Sequence, residues 1–237
     1  MAVIHKGHNE LKQKARNYLI LAITFWIPPV LYIIAFTQGF HFEGLAHLFP
    51  FLLGGIGTIL GRKYSALRSG IVGEESTSNV LQELPDGYDV FNSVRLTTKD
   101  GRAEYDHVIV GENGIFVVEV KNHNGTIEGR EEEHSWTQHK VGRKGGEYSS
   151  QMRNPVKQVR RQVHILSSYL KDNQLRIWVE GVVYFSNPKV HVYVNTVRTP
   201  VFTSSSALSH FLTSYEPRRK IADNELEKVR RLLGNEF

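Results

Sequence analysis

Residues 18–37 read YLILAITFWIPPVLYIIAFT, twenty consecutive positions without a charge. About 20 apolar residues, each rising about 1.5 Å in a helix, cross the hydrocarbon core of a bilayer. The run is therefore expected to be a transmembrane helix, and it commits the rest of the chain to one or other side of a membrane. Pro28 and Pro29 fall in its middle; they kink a helix and free backbone groups, yet spans tolerate them where neighbours re-satisfy those groups. The run is too long for the apolar region of a signal peptide, and no small-residue cleavage site follows it.

A second apolar run, residues 45–60, reads LAHLFPFLLGGIGTIL and is short for a span, with His47 and Pro50 near its start. Lys6, Lys12, Lys14 and Arg16 precede the first run and Arg62, Lys63 and Arg68 follow the second, whereas the connection between them carries Glu43 and no Lys or Arg. Basic flanks stay in the cytoplasm, so this pattern predicts a hairpin through the bilayer with both ends cytoplasmic. Gly54, Gly55 and Gly57 allow the two helices to approach closely. The alternative is a re-entrant or interfacial second segment, which would leave the soluble part opposite the N-terminus. The expected organisation is a multi-pass protein of the cell membrane: residues 1–62 form the anchor, with helices over 18–37 and 45–60, and residues 63–237 form a cytoplasmic domain.

The formal charge of +5 suits a polyanionic partner, but basic membrane flanks produce the same surplus. Cysteine is absent, which excludes disulfides, thiolate zinc sites and a cysteine nucleophile.

Within the soluble part, residues 104–121 read EYDHVIVGENGIFVVEVK, two runs rich in Val, Ile and Phe around Gly111-Glu112-Asn113-Gly114. That is a hairpin signal. With Glu112 and Asn113 at the turn, position 110 pairs with 115 and Asp106 falls opposite Glu119. Alternation then puts Asp106, Val108, Val110, Ile115, Val117, Glu119 and Lys121 on one face and His107, Ile109, Phe116, Val118 and Val120 on the other. Opposed carboxylates repel unless neutralised. A hard divalent cation such as Mg²⁺, with Mn²⁺ as its substitute, would neutralise them and bind phosphate alongside, while Lys121 supplies a point charge for phosphate or water. The competing reading is an amphipathic hairpin whose charges are solvated or paired, for example Glu104 with Lys121.

Asp106-His107, then Glu119-x-Lys121-Asn122, with Gly73-Glu74 before and Asn154-Pro155-x-x-Gln158 after, resembles the nuclease-related domain (NERD) family, which is grouped with the PD-(D/E)xK nucleases. The resemblance covers about residues 70–170 and includes Gly114-Ile115-Phe116, Gly125 and Trp136 in order. It implies an α/β, restriction-endonuclease-like core, a mixed β-sheet flanked by helices, and a catalytic set of Glu74, Asp106, Glu119, Lys121 and Gln158. In that set Asp106 and Glu119 hold the metal and Lys121 orients or activates water, with Glu74 and Gln158 assisting. Glu75 competes with Glu74 for that place, and His107, on the opposite face, is expected to pack or to bond locally.

The remaining elements follow from periodicity and breakers. A helix is expected over residues 63–84, a strand over 88–96, a polar turn over 97–102, strands over 125–129 and around Trp136, and a Gly-rich loop over 142–150. Asn154-Pro155 starts a helix to about Leu170, with Val156, Val159, Val163, Leu166 and Leu170 on its apolar stripe. Arg153, Lys157, Arg160, Arg161 and His164 form a second stripe, either a solvated face or a nucleic-acid contact. Strands over 178–185 and 191–195, another strand or a loop over 198–203, and helices over 204–214 and 223–233 complete the chain. Two functions fit: a membrane-anchored, Mg²⁺-dependent nuclease acting on DNA or RNA, or a non-catalytic nucleic-acid-binding scaffold that keeps the nuclease fold beside the lipid bilayer.

Overall fold

The computed structural model describes the whole chain except His8, His41, Phe42, Arg143, Lys144, Arg218, Phe237 and the side chain of Ala46. In chain order the elements are β1 (Val3–Lys6), α1 (Glu10–Thr37), a 3-10 turn (Gly44–His47), α2 (Leu48–Gln82), β2 (Asp89–Thr98), β3 (Gly101–Gly111), β4 (Gly114–Lys121), β5 (Gly125–Arg130) and β6 (Ser135–Val141). They continue with β7 (Glu147–Arg153), α3 (Pro155–Asp172), β8 (Val179–Phe185), β9 (Val190–Asn195), β10 (Val201–Phe202), α4 (Ser205–Ser214) and α5 (Asp223–Gly234). Two compact units result, one of Asn9–Ile71 and one of Met1–His8 with Val72–Phe237.

The first unit is a pair of antiparallel helices. Lys63 lies over the Tyr18 ring at 5.6 Å, and the rings of Tyr32 and Phe51 meet edge-on at 5.4 Å, so the start of α1 faces the middle of α2 and the end of α1 faces its beginning. A Cβ at Gly57 would lie 2.7 Å from the Trp26 ring. Glycine there is what lets the backbones close. α1 alone, among the described residues, is long and apolar enough to cross a membrane. The second apolar run does not stand as a helix of its own: α2 is one helix of 35 residues that also contains the helix expected over residues 63–84. Nothing between the two segments breaks it, since a single Gly costs a helix only about 1 kcal/mol. It ends at Gln82, before Pro85.

The second unit is mixed α/β, with two mixed sheets flanked by helices. One sheet has the order β1-β2-β3-β4-β8-β10 and the other β7-β6-β5-β9. β4 runs parallel to β8, and their continuations β5 and β9 also pair in parallel, so two adjacent strands leave the first sheet together and enter the second. Trp136, fully buried, stacks on Phe185 at that junction and anchors the core. On one face of the first sheet, Val156, Val159, Leu166 and Leu170 of α3 join Val108, Val110, Ile115 and Val117. On the other, Leu81 and Leu84 join Ile109, Phe116, Val118 and Val120, with Leu208 and Leu212 of α4. The expected alternation of the 104–121 hairpin is therefore what separates the two cores.

Two strands escaped the sequence reading. β1 pairs in parallel with β2, from Val3↔Asp89 to Lys6↔Asn92. The first eight residues thus belong to the same compact unit as Val72–Phe237. A parallel partner some eighty residues away leaves no local turn signal. The Gly-rich stretch over 142–150 is only partly a loop: β7 pairs with β6 from Val141↔Glu147 to Ser135↔Arg153. Apart from Tyr148 and Met152 its side chains are polar, and most are exposed, so it carries no hydrophobic alternation to read.

Candidate active site

The β3–β4 ladder closes in the expected register, from Gly111↔Gly114 to His107↔Val118, which makes Asp106 and Glu119 the next opposed positions. The backbone ladder stops there, and Asp106 Oδ2 accepts a hydrogen bond from the Val120 N–H at 2.7 Å. Glu119, whose side chain is only 2% exposed, has both oxygens engaged. Its Oε1 accepts from Lys121 Nζ at 2.5 Å and its Oε2 from Gln162 Nε2 at 2.7 Å. Lys121 Nζ also donates to Gln158 Oε1 at 3.1 Å. Lys121 therefore does not pair with Glu104, which bonds Arg95 at 3.1 Å.

Two helices deliver the remaining groups. α3 starts where expected: Asn154 Oδ1 accepts from the N–H groups of Val156 and Lys157, and its amide donates to the carbonyls of Arg130, Glu131 and Glu133. This cap satisfies the orphan donors of the first turn and ties the helix to the β5–β6 connection. The helical repeat then brings Gln158 and Gln162 to the carboxylates. On the opposite side α2 comes so close to the end of β4 that a Cβ at position 73 would lie 2.7 Å from Asn122 Cβ. Gly73 permits that approach, and the next residue, Glu74, is half-buried while Glu75 is exposed.

The charges of the cluster act on one another. Burial, then the carboxylates of Glu119 and Glu74, push the Asp106 carboxyl well above its ordinary range, and Lys121 and the Val120 N–H offset this only in part. Burial alone would lower Lys121, but Glu119, Asp106 and Glu74 outweigh it and hold the ammonium above its usual value. His107 lies on the other face, where its Nδ1 bonds Asn92 Oδ1 at 2.7 Å and burial depresses its pKa to about 3. Asn92 donates onward to Ser78 Oγ, so its Oδ1 accepts and His107 carries the proton on Nδ1.

Among the described residues no three His, Cys, Asp or Glu side chains come together closely enough to hold a metal ion. Asp106 and Glu119 supply two neighbouring carboxylates, with Glu74 acting on the same charge cluster. An all-oxygen set of that size suits Mg²⁺, which uses one or two carboxylates and keeps its waters. It does not suit a structural zinc ion, which takes four protein ligands.

Gln162 was missed. It donates to Glu119 and to the Glu104 carbonyl, is almost fully buried, and its Oε1 has no partner among the described residues. The signal was present, since positions 159, 162 and 166 fall on one helical stripe and a polar residue there must be satisfied inside the core. The basic stripe, by contrast, is partly spent within the fold. Arg160 pairs with the buried Glu131 and also bonds Thr199 Oγ1 at 3.1 Å; Glu131 Oε2 accepts the N–H groups of Val197 and Arg198. Lys157 and Arg161 are exposed on α3 and donate to the carbonyls of Glu132 and Arg102, and Arg153 is exposed on β7 rather than on the helix.

The family model described as nuclease-related domain (NERD) matches residues 69–186, a segment that holds Glu74, Asp106, Glu119, Lys121, Gln158 and Gln162. An uncharacterized protein of Bacillus anthracis is 37% identical over 79 residues, which is 32% of this chain and 37% of that protein's length. No solved structure matches.

Proposed function

The chain belongs to the nuclease-related domain family through residues 69–186, and from that premise we propose a membrane-anchored, metal-dependent nuclease that hydrolyses phosphodiester bonds in DNA or RNA. The observation that carries this reading is the gathering of Asp106, Glu119 and Lys121 at one end of the β3–β4 hairpin, with Gln158 and Gln162 bonded to them. We assign the six-stranded sheet and its helices to the restriction-endonuclease-like class on the same grounds.

Asp106 and Glu119 would hold Mg²⁺, or Mn²⁺ in its place, and such an ion supplies an activated water and stabilises charge developing on phosphate. Around it the chain's own groups have separate tasks. The Val120 N–H and Gln162 orient the two carboxylates, and Gln158 steadies the Lys121 ammonium, whose charge faces phosphate or water once Glu119 is otherwise neutralised. Glu74 adds negative charge that favours cation uptake. Exposed Lys157, Arg161 and Arg153 are available for the nucleic-acid backbone.

The experiment is a cleavage assay of the full chain in detergent micelles on single- and double-stranded DNA and RNA with Mg²⁺, Mn²⁺ or EDTA. Metal-dependent cutting that disappears in Asp106→Asn and Glu119→Gln supports the proposal; cutting unaffected by both substitutions eliminates this site. One observation favours the scaffold reading instead, namely that Glu119 is already satisfied by Lys121 and Gln162 without any ion. Salt-sensitive nucleic-acid binding with no cutting under any condition would establish that reading.

The anchor reading is that α1 and α2 form a hairpin through the bilayer with both ends in the cytoplasm. Ile20, Ile27, Leu31 and Ile34 of α1 and Leu48, Phe49 and Leu52 of α2 all project apolar side chains outward, as lipid-facing residues do. α2 lies beside α1 from Tyr18–Lys63 to Tyr32–Phe51, so if α1 enters the membrane the apolar half of α2 cannot stay out of it. The same pairing gathers Lys12, Lys14, Arg16, Arg62 and Lys63 at one end, which the positive-inside rule places in the cytoplasm.

A further inference from the structure

At the end of the first sheet remote from the carboxylates lies a cavity of about 580 Å³. Ile115, the first residue of β4 paired with β8, is part of its wall, while Lys121 ends the same strand six residues on. At about 3.3 Å per residue the two places are about 20 Å apart. α3 gives the same length, since Gln158 meets Lys121 near its start and Lys171, thirteen residues later, lines the cavity.

The lining has an unusual composition. Leu175 and Ile177 form a buried apolar floor, whereas Trp178 is 56% exposed at the rim, with Tyr215 beside it. An exposed tryptophan is ordinarily free to swing, but here its Nε1–H donates to Glu180 Oε2 at 3.1 Å and the Tyr215 hydroxyl donates to the same oxygen at 3.1 Å. One carboxylate thus holds two aromatic rings in place. Three cations, Lys171, Arg176 and Arg219, line the same space. Arg219 is committed to Glu225 through two bonds of 2.9 and 3.0 Å. Among the described residues neither Lys171 nor Arg176 has a carboxylate partner, although both are exposed.

We propose that this cavity is a nucleotide-binding site distinct from the carboxylate cluster, in which Trp178 stacks on a base and Arg176 and Lys171 hold its phosphate. The volume falls within the range of small-ligand pockets. A fixed aromatic face beside unpaired cations is how single-stranded nucleic acid and nucleotides are held without sequence preference. No metal and no cutting is involved, so the inference stands or falls independently of the catalytic reading.

The ligand is either a free nucleotide or a nucleotide unit within a strand. The test titrates the full chain, in micelles and EDTA, with fluorescent ATP analogue and with labelled twelve-residue oligodeoxythymidylate, following anisotropy. Binding of ATP alone identifies a free-nucleotide site, and binding of the oligonucleotide identifies a strand anchor, provided in each case that Trp178→Leu weakens it about 5- to 150-fold, the range for losing one stacked base. Trp178→Phe restores most of that loss, Lys171→Ala with Arg176→Ala weakens binding and flattens its salt dependence, and Asp106→Asn leaves it unchanged. Trp178 is exposed, so its replacement leaves the fold intact by far-ultraviolet circular dichroism. Neither probe binding, or binding that is indifferent to Trp178→Leu, overturns the proposal.

Discussion

Replacing Lys121 with Met tests whether the ammonium is what offsets the charges of Glu119, Asp106 and Glu74 when no ion is bound. The side chains of Lys121 and Glu119 are 18% and 2% exposed, and the Nζ–Oε1 bond of 2.5 Å joins them. Removing one partner of a buried ion pair strands the other charge, at a cost of about 3–5 kcal/mol. Gln162 keeps one bond to Glu119, and the Lys121 side chain that is removed was itself partly exposed, so the lower end, about 3 kcal/mol, is expected in EDTA. A divalent cation occupying the space should then replace the lost charge. At a hundredfold excess over its Kd it would return about 2.7 kcal/mol. The wild type should gain less, because Lys121 must first be displaced from Glu119. The assay is urea unfolding of the full chain in micelles, with EDTA or MgCl₂, for wild type, Lys121→Met, and Lys121→Met with Glu119→Gln. The reasoning is refuted if Lys121→Met unfolds at the wild-type urea concentration in EDTA, or if Mg²⁺ stabilises the double variant as much as the single one.

Asp106→Asn should stabilise the metal-free protein, with a definite pH dependence. A carboxyl whose pKa is raised in the folded state contributes stability that is complete below its unfolded value, about 3.9, and is lost as pH rises through the folded value. Thermal midpoints in EDTA should therefore show the variant's advantage widening from pH 4 upward, and an advantage that narrows contradicts the assignment. Arg160→Ala should lower stability by about 1–2 kcal/mol, discounted for the exposure of the guanidinium, while oligonucleotide affinity changes less than in Lys157→Ala with Arg161→Ala. The reverse order of affinities would return Arg160 to the nucleic-acid surface. A reporter that works only outside the cytoplasm, fused after the last residue, should be inactive; activity there would mean that α1 crosses alone.

How far the sequence could be read depended on whether each feature was local. The hairpin register was legible because a turn of fixed length sets every pair beyond it, and each face then had to match a core. The α3 start was legible because Asn154 and Pro155 act within their own turn. β1 was not, since its partner is distant, and β7 was not, since a polar edge strand has no periodic signature. The site followed the same rule. Asp106, Glu119 and Lys121 came from the register, whereas the neutralisation of Glu119 by Lys121 and Gln162 depended on rotamers that no spacing encodes. For that reason the simple picture of two repelling carboxylates awaiting an ion gives way to one in which Lys121 and Gln162 already satisfy Glu119, and the proposed ion would have to compete with Lys121.

The place of the helical hairpin in the chain determines how a soluble form can be made. Asn9–Ile71 is inserted between two strands, β1 and β2, that lie side by side in the same sheet. A truncated chain starting near residue 63 would lose β1, the bond from the Ala2 N–H to the Gln82 carbonyl, and the stacking of His5 on Phe91 at 4.4 Å. It would also bare the edge of β2, and an unpaired edge is a template for aggregation. Joining residue 8 to residue 72 through a flexible linker keeps the strand. At the end of β1 the Gly7 N–H bonds the Asn92 carbonyl and the Asn92 amide bonds Ser78 of α2, and the six residues from Ser78 back to Val72 rise about 9 Å, within the average reach of a Gly/Ser linker of about eight residues. The linked form should remain monomeric in size-exclusion chromatography without detergent and show protected amides across β2, while the form truncated at residue 63 should self-associate. Equal behaviour of the two would mean that β1 contributes nothing to the sheet edge in solution.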